Sequence, residues 1–297
     1  MESIQELGNK LNHLYVQFAQ AQDAIAFGLE RQRYGYVDFI NEEHLSRHSL
    51  VHFHKNIFSQ SGQDGIIEEI LKRLKINQGK FIEFGGWDGV HLSNCRYLAL
   101  QSWSGIFIEA DQTKFLELKE NYKLNHNVTA LNKFVNFVGE NTIDKIAAEY
   151  DFLDLDLLVI DIDGLDYKVL EYLEMKPKVI VMEGGAIFSP CLQARIPDEI
   201  AQRNISQPLT VLHQIAKAKG YVPVCFFQDL YLVREDLSAD FVSYADKAIE
   251  LYADWYLGIS EYQRDHLHST YRSKDSVVGQ MESGHFGKYE VNPLGYL

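Results

Sequence analysis

The sequence predicts an α/β fold: a mostly parallel sheet with helices on both faces, set between a helical N-terminal extension and a helical C-terminal extension. Three observations predict it. Between residues 59 and 235, short apolar runs alternate with segments of helical period, the pattern of strands buried on both sides. The first run stops at a glycine turn, and the second, fourth and fifth run to acids. Hydrophobic residues make up 46% of the 297 and charged residues 24%, values that belong to a folded globular chain and not to a disordered one.

The first unit is residues 1–58. Ile4, Leu7, Leu11, Leu14, Phe18, Ala21, Ile25 and Gly28 recur at spacings of three and four, one apolar seam that predicts a long helix over 1–30. The seam can dock on the chain's own domain or pair with a second copy as a homodimer. Tyr15, Val16, Phe27 and Leu29 widen it, which favours a broad docking surface. Residues 31–58 read as a connector with one short helix. His52 and His54 lack a nearby third ligand and read as surface residues.

From Ser59 the rhythm changes. Gly65–Leu74 is helical, with acids early and bases late as the helix dipole favours. Lys80–Phe84 is a strand that runs into Gly85-Gly86. Asn94–Gln101 is a helix, Gly105–Asp111 a second strand and Lys114–Tyr122 a helix. Lys133–Val138 is the third strand expected and Thr142–Tyr150 the helix after it. Leu157–Gly164 is the fourth strand, Tyr167–Leu173 a helix and Lys178–Glu183 the fifth strand. Leu209–Lys219 is an amphipathic helix ended by Gly220. Tyr221–Phe227 and Leu230–Val233, parted by Gln228-Asp229, are the last two strands. After Asp236 the alternation stops. Phe241, Tyr244, Ala248, Leu251, Tyr252 and Trp255 keep helical spacing, and Tyr262, Tyr271, Phe286, Tyr289 and Tyr296 follow. Residues 236–297 are therefore expected as a helix and an aromatic arm that lies on the domain or on a partner.

Charge and cysteine usage narrow the partners. Lys plus Arg is 28 against 42 for Asp plus Glu, a formal charge of -14. Such a field repels phosphate backbones and anionic lipid, so no nucleic acid partner is expected. Cys95, Cys191 and Cys225 are too few and too scattered for a zinc site or a disulfide framework. No stretch approaches the roughly 18 apolar residues of a membrane helix, and the N-terminus lacks the order of a signal peptide. A cytoplasmic protein is expected, in which the sequons at Asn127 and Asn204 are coincidental.

In an open α/β sheet, ligands sit beyond the carboxyl ends of the strands. The first strand ends Glu83-Phe84-Gly85-Gly86-Trp87-Asp88-Gly89, whose glycines let a ligand approach the backbone. The second ends Glu109-Ala110-Asp111, where a carboxylate can accept both hydroxyl hydrogens of a ribose. The fourth ends Asp161-Ile162-Asp163 and the fifth at Glu183, so acids gather at one edge.

Glu83-Phe84-Gly85-x-x-Asp88-Gly89 with acidic Glu109 resembles the S-adenosylmethionine (SAM) pocket of class I methyltransferases. Ser59-Gln60-Ser61-Gly62-Gln63-Asp64 before a helix, Trp103–Glu109 and Asp161–Tyr167 resemble the narrower FkbM-type branch, and the likeness spans roughly residues 58–234. It implies a Rossmann-like, seven-stranded, mostly parallel sheet, SAM as cofactor, and methyl transfer to a hydroxyl of a sugar, glycan or secondary metabolite. One departure stands out: Glu183-Gly184-Gly185 occupies the place where relatives are expected to carry Glu-Tyr-Asn. The charges agree with the resemblance, because acids attract a sulfonium where they would repel a pyrophosphate.

Under that resemblance Glu109 holds the ribose, with Asp111 beside it. Glu83, Gly85 and Asp88 shape the pocket round the amino acid end, while Gln60, Gln63 and Asp64 complete its contacts; Ser61 and Asp64 read equally as helix caps. Asn136 or Glu140 reaches the adenine. Asp161 is the candidate general base, as well as a cofactor contact, with Asp163, Glu183 and His213 in reserve. Asp161, Asp163 and Glu183 could instead hold Mg²⁺. Arg195 and Arg203, in the segment 188–208, could pair with a phosphate or carboxylate of the acceptor. Two other readings compete. Asp161-Ile162-Asp163 is a DxD, as nucleotide-sugar glycosyltransferases use, although the glycine turn and Glu109 do not fit it. A non-catalytic SAM-fold subunit, binding a partner through 1–30, is suggested by Gly184-Gly185.

Overall fold

The computed structural model of the chain describes residues 49–162, 164–184, 195–202, 206–241 and 251. The helix expected over 1–30, most of the arm after 241, Asp163, Gly185, Cys191 and Arg203 lie outside them. The apolar runs become strands β1 (Lys80–Phe84), β2 (Ser104–Glu109), β3 (Val128–Asn132), β4 (Leu157–Ile160), β5 (Val179–Glu183), β6 (Tyr221–Phe227) and β7 (Asp229–Arg234). Between them run α1 (Gln63–Arg73), α2 (Arg96–Leu100), α3 (Gln112–Tyr122), α4 (Ile143–Glu149), α5 (Asp166–Tyr172), α6 (Asp198–Ala201) and α7 (Leu209–Ala218). Short 3₁₀ turns at Leu50–Phe53 and Glu235–Asp240 flank the set.

The strands form one seven-stranded sheet in the order β3-β2-β1-β4-β5-β7-β6. Neighbours from β3 to β5 are parallel, and β7 runs antiparallel to both β5 and β6. The chain steps outward from β1 to β3, then returns to lay β4 on the other side of β1. Right-handed crossovers therefore put the two sets of helices on opposite faces, and the strand order reverses between β1 and β4. That crevice is where such a sheet receives a ligand.

The central strands are buried throughout: Phe81 and Ile82, Ile106 to Ile108, Leu157 to Ile160 and Val179 to Met182 have almost no exposure. Side chains of this size each contribute about 1.5–3 kcal/mol when fully buried, so these four strands hold the fold. Phe81 meets Phe107 edge-on at 5.2 Å, and Phe107 meets Tyr122 of α3 at 4.9 Å. No helix among the described residues is long and apolar enough to cross a membrane.

The third strand corrects the expectation. It is Val128–Asn132, not Lys133–Val138, and it pairs with β2 alone at the sheet's edge. Only Leu131 of its five residues is buried, so the strand lacks the apolar run that marks its neighbours. The apolar residues after it go elsewhere, as the site shows.

Candidate active site

Gly85 lets β1 end against β4. Its φ of +74° is left-handed, and a Cβ there would stand 1.6 Å from the carbonyl oxygen of Asp161. Trp87 (φ +48°) and Gly89 (φ +69°) continue the turn in the same strained region. Carboxylates then fasten the loops to the strand ends. Glu109, buried at the end of β2, accepts from the Trp87 N–H at 2.8 Å and from the Asp111 N–H at 2.7 Å. Glu83, also buried, accepts from Ser93 Oγ (2.9 Å) and from the N–H groups of Asn94 (3.0 Å) and Cys95 (2.9 Å). Burial pushes the Glu83 carboxyl up, against the lowering effect of those bonds.

These loops enclose a cavity of about 570 Å³ at the switch point, a size suited to a small-molecule ligand. Glu83, Glu109 and Asp161 all line it, with Gly85 and Gly86 between them. Its one lysine, Lys133, is paired with Glu149 at 2.8 Å. The acids therefore set the sign of the field. Trp87, half exposed with Lys114 Nζ 4.8 Å over its ring, and Phe134, 71% exposed, stand in the lining. Phe134, Val135 and Phe137 are the apolar residues that the sequence reading placed in a strand; they form cavity wall instead.

Of the other residues expected at the site, several are spent on the backbone. Asp88 Oδ1 accepts from the N–H groups of Val90 and His91, and Asp111 caps α3 by accepting from Thr113 and Lys114. Gln60, Gln63 and Asp64 do not reach the cavity lining. Asp64 Oδ2 instead collects the N–H groups of Ile57, Phe58 and Ser59 and the Ser59 hydroxyl, at 2.6–2.9 Å. That staple folds the chain ahead of α1, whose N-cap is Gly62 without a side-chain cap, so neither Ser61 nor Asp64 caps the helix. Glu140 pairs with Lys145, and neither it nor Asn136 lines the cavity. His213 is buried in the middle of α7, away from the lining. Glu183 ends β5, beyond the cavity.

Arg195 is not available to an anionic acceptor. Its guanidinium meets Glu171 in a fork at 2.6 and 2.8 Å and lies over the Tyr167 ring at 4.9 Å. Tyr167 also donates to Asp198, which pairs with Lys168. This network ties α6 to α5 and sets Gln202, just past α6, in the cavity wall. For a metal, no three His, Cys, Asp or Glu side chains among the described residues gather round one point. The set Asp161, Asp163 and Glu183 includes Asp163, outside those residues.

No family model and no curated protein matches the chain. Among solved structures it is similar to the N-terminal domain of EvdMO1 with SAH bound, at 13% identity over 58% of this chain and 80% of that one, with a TM-score of 0.39. It is also similar to an O-methyltransferase family protein from Burkholderia thailandensis, at 11% identity over 58% of each chain (TM-score 0.35). A third is a SAM dependent methyltransferase from Aquifex aeolicus, at 13% identity over 56% of this chain and 87% of that one (TM-score 0.35). The chain thus spans less than two thirds of the Burkholderia protein. By its own strand order, with β7 reversed between β5 and β6, the chain has the class I SAM-dependent methyltransferase fold.

Proposed function

We propose that the chain is a SAM-dependent O-methyltransferase acting on a hydroxyl of a sugar, glycan or secondary metabolite, with residues 59–235 as its catalytic core. Ser59–Asp64, Trp103–Glu109 and Asp161–Tyr167 support the FkbM-type branch. One observation carries the reading: Glu83, Glu109 and Asp161 share a single hollow at the switch point, with a side-chain-free turn between them.

The residues present fit SAM. Each Glu109 oxygen holds one backbone N–H and keeps lone-pair capacity for a ribose hydroxyl. Gly85 and Gly86 leave backbone open to the amino acid end, and the exposed ring of Phe134 suits a planar base. Three acids beside one neutralised lysine favour a cation. When bound, SAM supplies an electrophilic methyl on a sulfonium. The chain's part is to hold an acceptor oxygen in line with that methyl and to take the hydroxyl proton. Asp161, at the cavity's β4 wall, accepts a hydrogen bond from the acceptor hydroxyl and orients it. Glu83 acts at one remove, by holding the 93–95 loop.

Calorimetry with SAM tests the reading. Binding is expected, and Glu109→Ala should weaken it about ten- to hundredfold, the worth of a charged hydrogen bond of about 1.5–3 kcal/mol. Heat from a UDP-sugar with Mn²⁺ but none from SAM would overturn it in favour of a glycosyltransferase.

A further inference from the structure

SAM carries one group for which the cavity's acids are the wrong partner. Glu83, Glu109 and Asp161 suit a sulfonium and an ammonium, but they repel the carboxylate of the amino acid end. The polar residues expected from the sequence to complete the contacts at that end are occupied elsewhere. Asp88 holds the N–H groups of Val90 and His91, and Asp64 holds those of residues 57–59. Gln63 donates at 3.1 Å to Asp229 of β7, a carboxyl that burial pushes up. The partner of the carboxylate is therefore to be sought in the cavity lining itself.

Two basic residues stand in that lining, Lys133 and His91. Lys133 follows β3 and is paired with Glu149. His91 belongs to the loop after the glycine turn and is exposed, and its ring has no hydrogen bond or ion pair among the described residues. An imidazole, charged or neutral, keeps at least one N–H to donate. The loop is fixed on both sides of it. Before His91, the Gly89 N–H donates to the Gly86 oxygen at 2.7 Å, and the Tyr122 hydroxyl donates to the Gly89 oxygen at 2.6 Å. After it, Leu92 pairs with Ser59, which Asp64 holds, and Ser93 Oγ donates to Glu83 at 2.9 Å. Leu92 has φ +58°, a left-handed conformation that a residue with a side chain keeps only where its surroundings enforce it. The strand order places the rest of the ligand. Phe134 follows β3, Glu109 ends β2 and Gly85 ends β1, three neighbouring strands. A base at Phe134 and a ribose at Glu109 send the amino acid end over β1, where the loop of His91 begins.

We propose that His91 donates a hydrogen bond to the carboxylate of SAM and so makes the cavity select the zwitterionic amino acid end over a merely cationic one. The inference rests on the methyltransferase reading above. The acids draw in positive charge, and His91 anchors the one negative group that they oppose. Asp64 acts at one remove, because it fixes the Ser59 strand end against which Leu92 is paired.

The test is calorimetry on the full chain with SAM and with decarboxylated SAM, which keeps the sulfonium, ammonium, ribose and base. Wild type should bind SAM about tenfold or more tighter than the decarboxylated compound, the worth of a hydrogen bond to a charged group. His91→Ala should weaken SAM by about ten- to hundredfold and leave decarboxylated SAM nearly unchanged, with the same thermal midpoint for the free chain. His91→Gln, which restores an N–H donor, should regain most of the loss. SAM affinity unmoved in His91→Ala overturns the proposal, as does an equal loss for both compounds, which marks a structural role. Should His91→Ala fail to fold, wild type decides: equal affinity for the two compounds overturns the proposal. Glu109→Ala keeps the two readings apart, since it should weaken both compounds alike through the ribose. A wild-type chain that binds neither compound sinks the methyltransferase reading itself; one that binds both equally, and both more weakly in Glu109→Ala, sinks only the role of His91.

Discussion

Replacing Gly85 by alanine probes the point where β1, β4 and the cavity meet. The added Cβ would lie 1.6 Å from the Asp161 carbonyl oxygen, against a floor of 3.0 Å for real contacts, so the two strand ends must part by about 1.4 Å. Three costs follow. A side chain at left-handed φ costs about 1–2 kcal/mol. Crowding a packed backbone costs about 1–3 kcal/mol. Parting the strands also loosens the bond from the Asp161 N–H to the Phe84 oxygen, 3.3 Å long, worth about 1 kcal/mol. Gly220 supplies the control: its φ of +78° is nearly the same, but nothing lies within 4 Å of its Cβ position. Gly220→Ala therefore carries the first cost alone. For a domain of this size each kcal/mol moves the thermal midpoint by about 2–4 °C. Scanning calorimetry should show Gly85→Ala melting roughly 5–15 °C below Gly220→Ala, with SAM binding lost only in the former. Equal midpoints would refute the claim that glycine is required by the approach of Asp161.

Further predictions follow from the buried carboxylates. Glu83→Gln keeps one accepting oxygen and turns an NH₂ toward donors, so it should cost about 1–3 kcal/mol in urea unfolding. Asp229 should destabilise the fold at neutral pH. Its folded pKa lies above its ordinary 3.8, so the native state binds the proton more tightly and stability falls as pH rises from about 4 to about 7. The loss is at most about 4 kcal/mol. Asp229→Asn should thus gain stability over wild type at pH 8 in urea titrations, with a much smaller gain at pH 5; a gain independent of pH would contradict the linkage. Since no three ligating side chains gather among the described residues, methyl transfer should persist in EDTA, and activity lost to EDTA and restored by Mg²⁺ would point back to Asp161, Asp163 and Glu183.

The central strands were legible because a strand buried on both faces leaves little choice of side chain. Phe81-Ile82, Ile106-Phe107-Ile108 and Val179–Met182 could belong to few other structures, and each runs to an acid. The edge strand was not legible for the opposite reason. Val128-Thr129-Ala130-Leu131-Asn132 is paired on one side only and mostly half-buried, so its alternation is faint. Phe134, Val135 and Phe137 carry a stronger apolar signal than the strand before them, but it reports a cavity wall. Hydrophobicity marks removal from water, whether the cover is a helix or a ligand.

The place of Asp229 beside Glu183 was hidden for a directional reason. Looking for site residues where strands end finds Glu83, Glu109, Asp161 and Glu183, since in parallel strands every C-terminal end lies at the same edge. A reversed strand breaks that rule, because its N-terminal end lies there. The Gln228-Asp229 break between two apolar runs was visible as a turn, but only the antiparallel pairing of β7 with β5 converts a turn residue into a neighbour of Glu183. In the sequence Gln63, within the Ser59–Asp64 motif, reads as a contact to the amino acid end of the cofactor. In the fold it does not touch the cavity; it reaches 166 residues along the chain to hold Asp229. The motif therefore ties the start of α1 to the head of β7, a structural task that accounts for Gln63 without any ligand.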